Sequence, residues 1–391
     1  MQTSNLHPNV RILRMHAMIR ELGFVIPVVI AFIEWRGVSF SQFMAIQAMY
    51  TIVMLLADPI LSPLADKFGR KRAVIVGSAL WILGHVFMAF GYGWETYALG
   101  EIILGLGIAA YRPATEALLF DSLASVNRQG AHHTAYARQH RAQSYAGSAA
   151  MLAGGVMFLW HPMAPIVAEL AVTALLPLLA LRLTEAPYAA PIRKPTYAEI
   201  WRSAWATLAR RDTRWLVILP GLISGSTITL FWAVQPVFTG QGLNASWFGV
   251  LLAGYFALRG WFAGLCPWLA RRFGEFQAFG VSVVAMAGAF AGLALLPWWA
   301  AYPLFVVGSG FTYMMTETLG KDLVHRHVES AFRSTAMGGY QLAGRIIGIS
   351  TLGSCSLLQP LLGMPVTLLL IGTATASLAM VSLYRLHAAT R

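Results

Sequence analysis

Charge is scarce in this chain. Of its 391 residues only 11% are Asp, Glu, Lys or Arg and 57% are hydrophobic, whereas a soluble globular domain is about one quarter charged. That shortage excludes an ordinary soluble protein. Acids are scarcer than bases, 16 against 28, which leaves a formal charge of +12. The cations sit in short segments between apolar runs rather than on one soluble face, which argues against nucleic acid as a partner. Cysteine is nearly absent: Cys266 and Cys355 lie in apolar segments without ligand spacing, so they read as packing residues rather than a disulfide framework or a metal site. Missing too are a Gly-rich loop ending in Gly-Lys-Ser or Gly-Lys-Thr and any His-Glu-x-x-His or Gly-x-Ser-x-Gly motif. His85, His161, His325 and His327 fall in different spans or loops. Neither an ATP site nor a catalytic centre is expected, and no cofactor is called for. The opening stretch "MQTSNLHPNVRILRMHAMIRELGF" has no small-residue cleavage site after a short apolar core and reads as a cytoplasmic leader into a retained helix.

Long apolar runs fill the space that charge leaves. Crossing a hydrocarbon core of about 30 Å takes about 20 helical residues, and in lipid such runs must be helices because their backbone groups have no water to bond. About twelve spans are expected, near 17–35, 40–62, 73–92, 97–121, 140–160, 163–183, 214–238, 245–269, 277–297, 301–321, 335–357 and 363–385. The expected fold class is therefore an all-α membrane protein. Loops alternate in charge. One set carries Arg11, Arg14, the cluster Lys67 to Arg72, Arg128, Arg138, the stretch Arg182 to Arg214, Arg271, Arg272, Lys321, Arg326, Arg333, Arg385 and Arg391; the other has almost no cation, Arg36 excepted. Lys and Arg hold short loops inside, so both termini should be cytoplasmic in a multi-pass protein of the inner membrane. Tyr92, Trp94, Tyr97, Trp160, Trp298 and Trp299 fall at expected outer boundaries, where aromatic residues act as interface anchors.

The connector "LTEAPYAAPIRKPTYAEIWRSAWATLARRDTRW" is the long loop of the chain. From Thr196 to Leu208 its apolar and charged residues alternate with helical period, suggesting an amphipathic helix on the inner surface. It divides the chain into a six-helix bundle over 1–184, a connector over 185–213 and a second six-helix bundle over 214–391. The halves repeat. "ADKFGR" at 65–70 aligns with "ARRFGE" at 270–275, and "TEALLFDSL" at 115–123 with "TETLGKDLV" at 316–324, pairing Thr115 with Thr316, Glu116 with Glu317 and Asp121 with Asp322. Both matches are offset by about half the chain.

"SPLADKFGRKRAV", between the second and third spans, resembles the signature loop of the major facilitator superfamily, Gly-x-Leu-Ala-Asp-Arg-x-Gly-Arg-Lys. Asp66, Gly69, Arg70 and Lys71 fall on its matching places, and Ser62 replaces its first Gly. The resemblance implies two six-helix bundles that move a small molecule by alternating access, with a cavity lined mainly by spans one, four, seven and ten. It also implies that Asp66 latches the outward-open state against the start of span eleven near Arg333 and Ser334. The residues themselves allow a plainer reading, in which the cations hold the loop inside and Gly69 permits a tight turn. In the second copy Arg271 stands where Asp66 does and Glu275 where Arg70 does. Two superfamily patterns are damaged. Glu101 occupies the place of an Arg in the fourth-span pattern. The fifth-span drug/proton antiporter pattern survives only as "AMLAGG" at 150–155, with Gly154 and Gly155 but no Gly-Pro.

Ionisable residues at membrane depth are expensive and usually face a cavity or a partner. The candidates are Glu21, Asp58, Arg112, Glu116, Arg259, Glu317 and Arg345. Arg112 and Glu116 are four apart on one helix face, which fits a simple ion pair and equally a pair that opens on protonation. A carboxyl in a desolvated cavity exchanges protons near neutral pH, so Glu116 and Glu317 are the expected proton-coupling groups, with Glu21 third. Asp58, just before Pro59, reads as support for the inner gate. Arg259 and Arg345 have no acid four residues away; they fit either recognition of a carboxylate or phosphate or pairing with the acids across the cavity. Tyr50, Tyr111, Gln235, Tyr255, Tyr313, Thr316 and Gln341 are further candidate lining groups, together with Arg112.

The function expected is a proton-coupled secondary transporter, a monomer in the bilayer, moving a small organic compound that the buried arginines allow to be anionic. Export by proton antiport is favoured; import of an organic acid or siderophore by proton symport is the alternative.

Overall fold

The computed structural model describes residues 7–128, 131–186, 199, 202, 205, 214–327 and 333–390. Those residues are almost wholly helical, with no strand among them. In chain order the helices are α1 (Pro8–Arg20), α2 (Val29–Trp35), α3 (Phe40–Phe68), α4 (Arg70–Phe90), α5 (Gly93–Ala124), α6 (His132–Trp160), α7 (Ala164–Thr173), α8 (Leu175–Leu181), α9 (Arg214–Gly240), α10 (Phe248–Phe273), α11 (Glu275–Leu295), α12 (Trp298–Phe305), α13 (Thr312–Met315), α14 (Lys321–His327), α15 (Arg333–Leu362) and α16 (Met364–Thr390).

Eight helices are long and apolar enough to cross a membrane among the described residues, rather than the twelve expected. The shortfall has physical causes. The expected first span is broken: α1 stops at Arg20, Gly23 and Phe24 turn back on Glu21 and Leu22, and a 3₁₀ turn at Ile26–Val28 leads into α2. Gly23 and Pro27 are poor helix interiors, one for its backbone freedom and the other for its missing amide. The expected tenth span is helical throughout but passes through two π-helical stretches, Val306–Phe311 and Thr316–Gly320. The fifth and eleventh are the long helices α6 and α15, diluted by polar residues. The expected amphipathic helix at Thr196 to Leu208 lies outside the described residues except for Glu199, Arg202 and Trp205.

Two compact units arise by packing. The first comprises Met1–Val38, Ile52–Lys194 and Ala245–Gly254; the second comprises Ser39–Thr51, Pro195–Asn244 and Tyr255–Arg391. In each, small residues let two helices meet closely, the device of helix association in lipid. In the first, Gly77 and Gly84 of α4 face Gly107 and Gly100 of α5; in the second, Gly221 and Gly225 of α9 face Ala343, Gly344 and Gly348 of α15. Thr229 and Thr351 add a hydroxyl–hydroxyl bond of 2.9 Å across the latter pair. One turn recurs in both units. Gly69, at φ +104°, and Gly274, at φ +94°, each precede a following helix, α4 and α11, of 21 residues. Only glycine adopts that φ without strain.

Candidate functional site

In the first unit the break after α1 brings its cation and acid beside the middle of α5. Arg20 Nη2 lies 2.8 Å from Glu21 Oε2, and its guanidinium sits over the Tyr111 ring at 5.4 Å and the Trp81 ring at 5.9 Å. Arg20, Glu21, Arg112 and Glu116 all lie within electrostatic reach of Tyr111, itself buried in α5. The expected residues Glu21, Tyr111, Arg112 and Glu116 are therefore gathered into one cluster. Arg112 and Glu116 face each other at 3.9 Å with side chains 57% and 50% exposed, a loose pair rather than a locked one. His16, absent from the sequence candidates, adjoins the cluster, its ring centroid 5.8 Å from that of Tyr111. Its Nε2 donates to Ser78 Oγ at 2.9 Å, because the Ser78 hydroxyl is already donating to the Val74 carbonyl at 2.7 Å.

In the second unit Glu317 sits on the π stretch Thr316–Gly320, and Lys321 Nζ reaches its Oε2 at 2.6 Å. Lys321, expected in an inner loop, instead lies where the helix continues and is the acid's partner. Tyr340 of α15 donates to the Thr316 carbonyl at 2.7 Å, which ties this irregular stretch to its neighbour. Arg259 lies over the Tyr313 ring at 4.1 Å, Phe256 at 5.3 Å and Tyr255 at 5.7 Å. Tyr255 is fixed in turn by its hydroxyl contact with Ser309 at 3.0 Å and by stacking on Phe305 at 5.1 Å. Three expected residues, Arg259, Tyr255 and Tyr313, thus form one aromatic-walled cation site. Gln341 and Arg345 share a face of α15, one exposed and one half-buried, while Gln235 is buried in α9. Arg259 and Arg345 are not the unpartnered cations that their own helices suggested.

The signature loop has an architecture that its motif did not disclose. Arg70 Nε donates to Asp66 Oδ1 at 3.1 Å, Nη1 donates to the Ala117 carbonyl at 3.1 Å, and Nη1 also pairs with Asp121 at the end of α5. Glu185, absent from the sequence candidates, caps α4: its carboxylate accepts the Arg70 amide at 2.8 Å and the Lys71 amide at 2.9 Å. A carboxylate on free amides at a helix start meets the positive end of the dipole. Asn9 ties α1 to the same end, donating to Ser122 Oγ and the Thr184 carbonyl, both at 2.8 Å. Asp58 is half-buried in α3 with a partner. The side chains of Arg333 and Ser334, the implied latch for Asp66, lie outside the described residues.

Two outer-side expectations change. Tyr97 is not an interface anchor: it is 3% exposed, within reach of Glu101 and Glu169. Arg36, the odd cation of the uncharged loops, is buried and donates to the Gly91 carbonyl at 3.2 Å and to that of Ala89, with the Tyr92 ring 4.3 Å away. It neutralises the carbonyl end of α4, so it is a helix cap and not a break in the charge pattern. His85, Glu101 and Glu169 form a buried set; the sequence marks His85 and Glu101 separately and does not join them to Glu169, although single acids inside the apolar "YALGEIILG" and "PIVAELAVT" are a legible signal.

Comparison with known proteins supplies the family context. Residues 16–353 match the family model described as Major Facilitator Superfamily. A 100-residue stretch is 25% identical to the quinolone resistance protein NorA of Staphylococcus aureus (strain Mu50 / ATCC 700699), covering 26% of each chain. A stretch of the same length is 27% identical to multidrug resistance protein 2 of Bacillus subtilis (strain 168), covering 26% of this chain and 25% of that one. The chain thus spans only about a quarter of the length of these curated relatives. Among solved structures, the nucleoside transporter NupG superposes with a TM-score of 0.77 at 13% identity, over 98% of this chain and 99% of that one. A bacterial homologue of the human lysosomal transporter Spinster, inward-facing and unoccupied, gives 0.72 at 13% identity, over 100% and 98%. At such identities the likeness concerns the fold alone.

Proposed function

This chain belongs to the Major Facilitator Superfamily and is a transporter, not an enzyme; from that premise we propose that it exports a small organic compound in exchange for protons. The carrying observation is that equivalent positions of the two repeats, Glu116 and Glu317, each hold a carboxylate beside a cation on the same helix face. The pairs are Arg112 with Glu116 and Lys321 with Glu317, and neither acid is sealed inside its unit. Protonating such a carboxylate removes its half of the pair and frees the cation for a substrate anion or a new partner. Glu21 is the third proton-coupling group, linked to Glu116 through the Tyr111 cluster.

Twelve spans in two six-helix halves, both termini cytoplasmic, residence as a monomer in the inner membrane and alternating access complete the proposal. Rocking of one half against the other around a midplane site would alternate exposure to the two sides. Asp66 would latch the loop in one of the two states, with Gly69, Arg70 and Lys71 as its turn and counter-charge and Asp58 as support. Export draws on the partial likeness to proteins named for quinolone and multidrug resistance. Import of an organic acid or siderophore by proton symport is the second reading, and the Arg259 site favours it. Aromatic rings engage the face of a guanidinium, whereas its donors lie in the guanidinium plane, matched to a carboxylate. Arg112, Arg345, Gln235 and Gln341 would supply the remaining substrate contacts.

The test is transport into and out of vesicles carrying the purified protein, with a quinolone and an organic acid as probes under imposed pH gradients. Glu116→Gln and Glu317→Gln should each abolish gradient-driven movement while leaving downhill exchange in place. If both variants retain it, the carboxylates do not couple protons.

A further inference from the structure

His85 of α4 and Glu169 of α7 lie outside the arrangement proposed above. They are 2% and 5% exposed. His85 Nδ1 is 2.8 Å from the Trp81 carbonyl oxygen, and Nε2 is 2.8 Å from Glu169 Oε1. The second carboxylate oxygen, Oε2, accepts the Val25 amide at 3.0 Å. A carbonyl oxygen can only accept, so the first contact requires a proton on Nδ1. A neutral imidazole has one ring proton, and Nε2 would then present a lone pair to Glu169. An ionised carboxylate also only accepts, and two acceptors in hydrogen-bond contact inside an apolar bundle repel. The other tautomer merely moves the conflict to Trp81. Both contacts are satisfied when one further proton is present, on Nε2 as an imidazolium or on Oε1 as a carboxylic acid.

We propose that His85 and Glu169 form a buried proton-binding site within the first unit, and that its proton, while bound, keeps Glu169 in place to hold the Val25 amide at the break after α1. The site does not depend on which compound the chain moves, and it is separate from Glu116 and Glu317. Glu101 and Tyr97 of α5 are the titratable groups that face it from the neighbouring helix; α8, "LLPLLAL", packs on α4 and brings none. The break supplies backbone. Within it Gly23 and Phe24 donate to Glu21 and Leu22, whereas Val25 donates to the Glu169 side chain. When the proton leaves, one of the two His85 contacts must open, and if it is the one to Glu169, the carboxylate that carries Val25 is released. Proton occupancy and the geometry of the break are thereby linked.

The full-length protein in detergent micelles tests this at neutral pH. With isotope-labelled histidine, NMR identifies the His85 ring nitrogens as the signals lost in His85→Gln, and infrared difference spectra against Glu169→Gln report any protonated Glu169. Two protonated ring nitrogens, or one with a Glu169 acid band, are the expected results. One bare ring nitrogen with no acid band would overturn the proposal. Should His85→Gln fail to fold, amide exchange of residues 22–28 decides. Once intrinsic pH effects are removed, Val25 protection in the wild type should fall by about tenfold or more at alkaline pH. Glu169→Gln, whose amide donates to Nε2 and accepts from Val25 together, should keep its protection. Parallel pH curves for the two proteins would overturn it equally.

Discussion

Single side chains decide how the signature loop is held. The motif's own residues make one half of the device, Arg70 bridging Asp66 and Asp121. The other half is Glu185, far along the chain, whose carboxylate closes the two first amides of α4. Removing such a cap costs about 1 kcal/mol, and Glu185 is exposed, so the effect should not exceed that. Thermal unfolding of Glu185→Ala in detergent should therefore begin a few degrees below the wild type, with Glu185→Gln between them; coincident melts would mean that water replaces the cap at no cost. The second copy of the loop exchanges signs, but its set is the same: Asp66, Arg70 and Asp121 in the first half correspond to Arg271, Glu275 and Asp322 in the second, one cation and two acids each. Arg345 belongs to this scale too. A fork of donors to a carboxylate is worth enough that Arg345→Ala should weaken binding of an anionic substrate about tenfold or more. Unchanged affinity in a well-folded variant would remove it from the site.

At the scale of elements, the break after α1 is the feature around which the first unit is organised. Two helices grip it at three places. Gly147 of α6 stands against Glu21, Gly154 of α6 against the Phe24 carbonyl, and Glu169 of α7 takes the Val25 amide. The "AMLAGG" remnant has a local reason here: a Cβ on Gly154 would overlap the Phe24 carbonyl oxygen and would lie 3.1 Å from Pro27 Cγ. Backbone cannot yield as a side-chain tip can, so Gly154→Ala should destabilise by about 1–3 kcal/mol, the usual range for overpacking. Gly288→Ala in α11, where nothing lies within 4 Å of the added carbon, should be neutral or slightly stabilising, since alanine is the better helix former. Equal melting shifts for the two would show that crowding at the break is absorbed elsewhere.

For the whole molecule, direction of transport is the property most worth measuring. Quinolone export by proton antiport predicts that cells expressing the protein accumulate less of the drug, and that dissipating the pH gradient restores accumulation. Import by symport predicts gradient-dependent uptake of an organic acid and no effect on the drug. Glu116→Gln should remove whichever of the two is found. Hydropathy could not disclose how the chain divides at this scale. Ser39–Thr51 packs with the second unit and Ala245–Gly254 with the first, although each is continuous with a helix of the other.

Composition alone required a helical membrane protein, because a chain with so little charge and such long apolar runs must satisfy its backbone internally. The repeats "ADKFGR" and "ARRFGE" gave the turn, since glycine at positive φ is a local demand that sequence states directly. Most candidate site residues were legible for a similar reason: an ion in a greasy segment is conspicuous, and i, i+4 spacing places Arg112 beside Glu116. What only the tertiary structure decided were partnerships across many residues: Glu185 on α4, Arg259 with Tyr313, and His85 with Glu169, which in turn takes the Val25 amide. Each depends on the approach of helices fixed by packing of small residues, a long-range property that periodicity along one helix does not encode.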